Sequence, residues 1–312
     1  MSRELTRTDT DLKCADCGNT AGNTILEARE MMFGTREAFS YAVCAACGTL
    51  RLLDVPADMS RFYGSAYYST RRDFRRWVRR HHTAYRLAHL VLTGRLPDLP
   101  AWWPAQHRDR SARVLDVGSG AGNLLLRLQS LGFINLLGVD PFNPSDIDYG
   151  RGLTIKKQSL DQAAGEFDVV VMNHSFEHMP NPRAALVQAR NRLAASGTLV
   201  IRTPVAGSWA MREYGADWVQ LDAPRHLFVH SEQGLRRLAE AAGLTADAVA
   251  YDSNAMQFWG SEQYRRGIPF SEGQRLYSRR EVRELERRAQ QLNLQSDGDQ
   301  ASFHLSPAGS RV

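Results

Sequence analysis

The sequence predicts an α/β protein with a doubly wound, mostly parallel sheet of seven strands and a small cysteine-containing domain in front of it. Three observations support this. From Arg113 onward, short apolar runs alternate with amphipathic stretches. The first of these runs breaks into a glycine loop at residues 118–122. All four cysteines fall within the first 55 residues, a stretch too short to bury much core without a staple.

Composition limits the class of protein. The chain has 312 residues, of which 43% are hydrophobic, enough for a sizeable core. No run approaches the ~20 apolar residues of a membrane span, and the charged start has no apolar signal region, so we expect a cytoplasmic protein without a membrane span. The net charge of +5 is local, because one segment, residues 71–80, holds six arginines and one aspartate.

Four segments follow from these patterns. Prolines at 97, 100 and 104 end a helical apolar stripe and mark the start of the α/β domain. We therefore divide the chain into a cysteine-containing module (1–55), a helical, arginine-rich connecting or lid segment (56–108), an α/β domain (109–255) and a C-terminal extension (256–312).

The elements of the α/β domain can be taken in order. Apolar runs predict strands, and amphipathic stretches with capping residues predict helices. The predicted strands are 114–117, 136–139, 167–172, 198–201, 246–251 and, as a possible last strand, 301–305; the predicted helices are 123–131, 182–193, 232–242 and the charged 279–291.

The glycine loop is the most informative motif. Gly118, Gly120 and Gly122 follow strand 114–117 and precede a helix, where glycine lets the backbone turn sharply and approach a ligand. Dehydrogenases use G-x-G-x-x-G, whereas this loop is G-x-G-x-G with Asp116 just before it. This spacing favours methyl transfer over hydride transfer.

Polar residues at the ends of the next strands complete a nucleoside site. Asp140 ends the second strand, where a carboxylate can accept both ribose hydroxyls of an adenosine. Leu160 and Asp161 follow a third strand, expected between strands 136–139 and 167–172, and are candidates for an adenine wall. Asn173 follows the fourth strand and faces the same crevice.

Three motifs in this order resemble the class I methyltransferase superfamily: V-L-D-V-G-S-G-A-G, G-V-D-P and F-D-V-V-V-M-N-H-S-F-E-H-M-P-N-P. The resemblance covers roughly residues 110 to 255. It implies S-adenosylmethionine as cofactor. Asp116 and the loop glycines are expected to hold the methionine portion, Asp140 the ribose, and Leu160 and Asp161 to flank the adenine.

The four cysteines form two C-x-x-C-G knuckles, Cys14/Cys17 and Cys44/Cys47. Four thiolates suit a tetrahedral Zn²⁺ with no open position, so we predict a structural zinc ion in a zinc-ribbon-like domain. Two disulfides or four unrelated thiols are the alternatives, which the missing secretion signal disfavours.

Together with the aromatic-rich segment 62–69, this cysteine module resembles the front end of methyltransferases of polysaccharide and deoxysugar biosynthesis, which implies a nucleotide-linked sugar as acceptor. Arg72, Arg76 and Arg80 share one helical face by their spacing and suit a diphosphate, although a solvated charged face is the plainer interpretation.

His178 and His226 are the candidate catalytic residues, because each follows a strand at the predicted crevice. Either imidazole is suited to act as a general base on the acceptor, or it simply hydrogen-bonds to the backbone. Glu177 is equally suited to a structural role.

Two other functions remain open. An RNA-modifying methyltransferase would use the zinc module and the basic helix to grip RNA. Nucleic acid is nevertheless disfavoured, because amino-group methyltransferases carry D/N-P-P-Y/F where this chain has Asn173-His174-Ser175-Phe176, and every cysteine is assigned to metal. A catalytically inactive scaffold is the second alternative. The sequence does not specify an oligomeric state.

Overall fold

The structure is a computed structural model and describes residues 12–63, 98–273 and 276–309. The arginine segment 71–80, with Arg72, Arg76 and Arg80, lies outside the described residues.

A mixed eight-stranded sheet forms the centre of the α/β domain. Its strands, in chain order, are β4 (Arg113–Val117), β5 (Asn135–Val139), β6 (Ile147–Gly150), β7 (Leu153–Lys156), β8 (Phe167–Asn173), β9 (Leu193–Pro204), β11 (Leu244–Tyr251) and β12 (Gln300–Pro307). The spatial order is β11-β12-β9-β8-β4-β5-β7-β6. Strands β9, β8, β4, β5 and β7 are parallel, whereas β12 runs antiparallel between β9 and β11. The doubly wound fold is therefore as predicted.

The eighth strand, β6, is the difference from the predicted seven. It pairs antiparallel with β7 at the sheet edge. Its side chains alternate between half-buried and exposed, because it covers one edge and contributes little to the core. This short polar stretch lacks the apolar run by which strands are recognised in sequence.

Helices lie against the sheet and beside it. They are α1 (Asn123–Ser130), α2 (Pro182–Arg190), α3 (Trp209–Tyr214), α4 (Glu232–Ala241), α5 (Met256–Arg265) and α6 (Arg279–Leu294). Side chains of β4 alternate between two apolar clusters, with Leu115 in one and Val114 in the other. In the described part of the chain, none of the helices is long and apolar enough to cross a membrane.

A second, four-stranded antiparallel sheet joins the front of the chain to the α/β domain. It contains β1 (Thr24–Arg29), β2 (Ala38–Val43), β3 (Leu50–Leu52) and β10 (Phe228–Val229), in that spatial order. Phe228 pairs with Arg51 and Val229 with Leu50. The cysteine module thus shares a sheet with the segment that carries His226.

Candidate active site

The glycine loop turns between β4 and α1 as its sequence requires. Gly118, Gly120 and Gly122 all have positive φ, at +71°, +53° and +83°. A Cβ on Gly118 would lie 2.5 Å from Cβ of Ser175, and Ser175 Oγ donates to the carbonyl of Val117 at 2.6 Å. The loop after β8 is therefore packed directly against the glycine loop.

Asp140 lies at the end of β5, beside this loop. Its Oδ2 accepts a hydrogen bond from the Gly120 amide at 2.8 Å, and its Oδ1 accepts one from the Phe142 amide at 2.9 Å. These amides fix the carboxylate at the carboxyl edge of the sheet, the position expected for a ribose acceptor.

Asp116 is a buried carboxyl under the loop, with 4% of its surface exposed. Burial, followed by repulsion from Asp140, raises its pKa to about 8. The carboxyl is therefore largely protonated at neutral pH. A positive charge bound in the crevice would lower its pKa.

The other predicted cofactor residues surround the same edge. Leu160 is buried in a short 3₁₀ turn after β7, whereas Asp161 is exposed and accepts a hydrogen bond from Ser159 Oγ at 2.5 Å. Asn173 ends β8, and its Oδ1 accepts from Arg202 at 3.3 Å.

Glu177 is a fully buried carboxylate in the loop after β8. His174 Nε2 lies 2.6 Å from the Arg202 guanidinium and accepts from it, so its Nδ1–H donates to Glu177 Oε1 at 3.3 Å. Thr203 donates to Oε2 at 3.2 Å. Burial alone would raise the pKa of Glu177, but the hydrogen bond from His174 and the charge interactions with three histidines outweigh it and lower the pKa to about 2.

His226 is buried and its tautomer is fixed by its neighbours. Nδ1 lies 2.8 Å from the carbonyl of Gln220, so Nδ1 carries the proton and Nε2 keeps its lone pair. Nε2 lies 3.9 Å from Glu177 Oε1 and 3.9 Å from Asp222 Oδ2. Burial and the neighbouring His178 lower the pKa of His226 to about 4, so the ring is neutral at physiological pH.

His178 follows the same pattern. Its Nδ1 lies 2.8 Å from the carbonyl of Arg225 and 3.3 Å from the hydroxyl oxygen of Tyr63. The rings of His178 and His226 meet edge to face, 4.9 Å apart. The Leu227 amide donates to the carbonyl of Glu177 at 2.8 Å and holds the two segments together. The structure thus brings together the two histidines that the sequence singled out.

A buried charge network supports this pair, and sequence analysis missed it. The Arg225 guanidinium is fully buried and contacts Asp222 at 2.6 Å and Glu30 at 2.9 Å. Burial would raise the pKa of Asp222, but Arg225 lowers it. Glu30 also accepts from the amides of Phe33 and Thr35, both at 2.9 Å. The P-R-H sequence in the loop before β10 indicates a polar loop site, but nothing in the sequence relates it to Glu30.

The four cysteines converge as the knuckle pattern predicts. Sγ of Cys14 lies 3.6 Å from that of Cys47, and Sγ of Cys17 lies 3.5 Å from that of Cys44. All four are free thiols, too far apart for disulfide bonds. Tetrahedral Zn–S bonds of about 2.3 Å place sulfurs about 3.8 Å apart, so the donor set fits a zinc ion.

The chain belongs to a methyltransferase family. The sequence model of the family described as "Methyltransferase domain" matches residues 79–249, more than half of the chain. This match includes the glycine loop, Asp140 and both histidines.

Curated relatives include a ubiquinone biosynthesis O-methyltransferase of Maricaulis maris, 27% identical over 169 residues, or 47% of this chain and 65% of that protein. A tRNA U34 carboxymethyltransferase of Syntrophotalea carbinolica is 28% identical over 170 residues, or 49% of this chain and 51% of the relative. The alignments therefore span between half and two thirds of these relatives.

Among solved structures, a 1,6-didemethyltoxoflavin-N1-methyltransferase of Burkholderia thailandensis with bound S-adenosylhomocysteine is similar at 17% identity and a TM-score of 0.42. That comparison covers 86% of this chain and 96% of the other.

Proposed function

We propose that this protein is an S-adenosylmethionine-dependent methyltransferase that acts on a hydroxyl-bearing small molecule. The observation that carries the proposal is the packing of the glycine loop against the loop that presents Glu177 and His178. A cofactor on the first loop would face an acceptor on the second. Methyl transfer needs this in-line arrangement more than it needs any particular catalytic group.

The cofactor residues keep their expected roles in this proposal. Asp116 and the loop glycines Gly118, Gly120 and Gly122 hold the methionine portion, and Asp140 holds the ribose. Leu160, Asp161 and Asn173 lie around the adenine and the sulfonium. When bound, S-adenosylmethionine supplies the methyl group, and the chain orients it.

His226 and His178 are the catalytic residues in this proposal. Their Nδ1 atoms donate to backbone carbonyls, so each Nε2 lone pair is left for the acceptor side. Together with Glu177 Oε1, they form a set of hydrogen-bond acceptors that matches a donor such as a hydroxyl group. The two histidines can take the hydroxyl proton directly, or they can act on the hydroxyl group through a bound cation.

The acceptor we propose is a nucleotide-linked sugar or another polysaccharide precursor. Its support is the resemblance of the front end and the spacing of Arg72, Arg76 and Arg80, which suits a diphosphate. The names of the O-methyltransferase relatives are consistent with a hydroxylated small molecule but not with a sugar in particular.

RNA is the second candidate acceptor, because two of the curated relatives are named tRNA U34 carboxymethyltransferases. Two features argue against RNA. The loop after β8 lacks the D/N-P-P-Y/F sequence of amino-group methyltransferases, and this proposal assigns all four cysteines to metal.

The four cysteines hold a structural zinc ion in this proposal. Their sulfurs have the spacing of a tetrathiolate site, and Gly18 and Gly48, with φ of +75° and +79°, close the two knuckles. With four protein ligands the ion has no open coordination position for substrate.

Calorimetry with S-adenosylmethionine tests the central assignment. The wild type should bind it, and Asp140→Ala should bind at least tenfold more weakly, because the ribose loses its acceptor. Asp148→Ala, an exposed aspartate on β6, serves as the matched control. Wild-type affinity in Asp140→Ala would contradict the site.

Incubation with methyl-labelled cofactor then identifies the acceptor. Label in a nucleotide-sugar pool supports the leading proposal, and label in tRNA supports the alternative. Cofactor binding without transfer to any pool would favour the inactive scaffold. His226→Ala should mainly lower turnover, and changing Arg72, Arg76 and Arg80 to Ala should mainly raise the Michaelis constant.

A further inference from the structure

The buried cluster around His226 carries more negative charge than the described residues balance. Glu30, Asp222 and Glu177 are three buried carboxylates. Glu30 and Asp222 accept hydrogen bonds from Arg225, the one guanidinium that the described chain buries among them. The nearby Arg202 is already paired with Asp252 at 2.6 Å. Buried unbalanced charge is costly, so a cation beside these carboxylates would stabilise the cluster.

The imidazole of His226 does not supply positive charge in its observed geometry. His226 donates from Nδ1 to the Gln220 carbonyl and directs its Nε2 lone pair toward two carboxylate oxygens, each 3.9 Å away. An acceptor facing two further acceptors is unfavourable unless a donor or a cation lies between them. Among the described residues, none places a hydrogen-bond donor on that Nε2.

We propose that Glu177, His178 and His226 bind a divalent transition-metal ion, separate from the ion of the four cysteines. One ligand atom from each of the three residues lies within 4.8 Å of the others. Two imidazoles and one carboxylate form a donor set suited to divalent manganese, iron, cobalt or zinc. An ion of charge +2 also balances three carboxylates against one guanidinium.

The surroundings resemble those of metal ligands elsewhere. Histidines that bind metals through one ring nitrogen usually donate the other N–H to a carbonyl or a carboxylate, which fixes their tautomer. His226 does so toward Gln220 and His178 toward Arg225, both at 2.8 Å. Glu177 is likewise held, by His174 and Thr203. Metal bonds of about 2.1 Å require ligand atoms about 3 to 4 Å apart, and the 3.9 Å between His226 Nε2 and Glu177 Oε1 lies in that range.

This proposal deepens the proposed function, on which its catalytic meaning rests. An ion at the three residues has positions left for water or an acceptor hydroxyl, whose pKa it would lower. The histidines would then act on the acceptor through the ion rather than by direct proton transfer. Binding of the ion itself does not depend on the acceptor or on methyl transfer.

Manganese binding to the full-length protein tests the proposal. Mn²⁺ prefers nitrogen and oxygen ligands to thiolates, so it distinguishes this cluster from the cysteines. Electron paramagnetic resonance of unbound Mn²⁺ gives the number of sites and the dissociation constant. We expect one saturable site per chain, weakened at least tenfold in His226→Ala and in the half-buried His178→Ala. His107→Ala, which changes a half-buried histidine next to Thr198, should bind as the wild type does.

Two results would overturn the proposal: no saturable Mn²⁺ site in the wild type, or unchanged affinity in a folded His178→Ala variant. Circular dichroism establishes that each variant is folded. Labelled methyl transfer separates this proposal from the proposed function. Full transfer by chelator-treated protein that contains no Mn²⁺, together with loss of transfer in His226→Ala, would reject a catalytic ion and retain the methyltransferase. Mn²⁺ binding by a protein that does not bind the cofactor would retain the metal site and reject the methyltransferase.

Discussion

The Arg225 guanidinium and the Glu30 carboxylate lie 2.9 Å apart with both side chains fully buried, although 195 residues separate them in the chain. Glu30 follows the first strand of the cysteine module, and Arg225 precedes the catalytic candidate His226. The hydroxyl of Tyr41 on β2 adds a second link, since it donates to the carbonyl of His226 at 2.9 Å. The front module therefore helps to hold the loop of Arg225 and His226, which forms the proposed acceptor side of the crevice.

We expect Glu30→Gln to destabilise the protein markedly. Arg225 keeps Asp222 as a buried carboxylate partner, so the loss is that of a charge-assisted hydrogen bond, about 1.5 to 3 kcal/mol. The free energy of unfolding, measured with denaturant, should fall by this amount. Glu37→Gln is the matched control, because its 2.7 Å pair with Arg61 is exposed and such pairs contribute less than about 1 kcal/mol. Equal losses in the two variants would contradict the role assigned to burial.

Loss of the proposed cysteine-bound ion should lower turnover more than cofactor affinity. Cys44→Ser removes one of the four proposed ligands from the module whose sheet contains β10, next to Arg225 and His226, whereas the glycine loop follows β4 of the other sheet. Metal content, calorimetry and labelled transfer measure the three effects separately. Ala46→Ser, an exposed change in the same knuckle, should leave all three unchanged. If Cys44→Ser lost the metal but kept full turnover, the module would have no part in the acceptor site.

The sequence predicted the elements whose signals are local. The strand, the glycine loop and the helix at residues 114–130 were expected because apolar periodicity and glycine both act over a few neighbouring residues. Each C-x-x-C-G knuckle is likewise a local signal, because it fixes a short turn. The front sheet then brings the two turns together. Helix 182–193 was predicted too long, since β9 begins at Leu193 and takes up the last apolar residue of that run.

The support of the acceptor side was beyond sequence analysis because it depends on distant pairings. Strand β10 has two residues and is recognised as a strand by its pairing with β3. Glu30 is a single acidic residue in a hairpin turn, and nothing nearby indicates that it will be buried. Its environment is set by Arg225, a contact that only the folded chain creates.

Substitution of Gly118 should abolish cofactor binding by distorting the loop. A Cβ at this position meets Cβ of Ser175 at 2.5 Å, and its φ of +71° is unfavourable for other residues. We expect Gly118→Val to leave no measurable binding in calorimetry. Gly165→Val imposes a similar backbone penalty at φ of +94° but meets no atom within 4 Å, so it should bind normally if folded. Tight binding by Gly118→Val would place the cofactor elsewhere.

Cofactor binding should release a proton from Asp116. In the free protein the pKa of this carboxyl is raised to about 8 by burial and by Asp140, so at pH 7 it holds a proton. The methionine portion of the cofactor carries an ammonium group, and a cation beside the carboxyl favours its charged form and lowers its pKa. Binding at pH 7 therefore releases up to about one proton, and affinity rises with pH until the pKa of the free protein is passed.

Calorimetry at pH 7 in buffers of different ionisation enthalpy measures this release directly. Asp116→Asn has no carboxyl to titrate, so its binding should be weaker and nearly independent of buffer. At pH 9 the wild-type carboxyl is already ionised before binding, and the release should largely disappear. Proton release of equal size in Asp116→Asn and in the wild type would assign the titrating group to another residue and remove Asp116 from the methionine site.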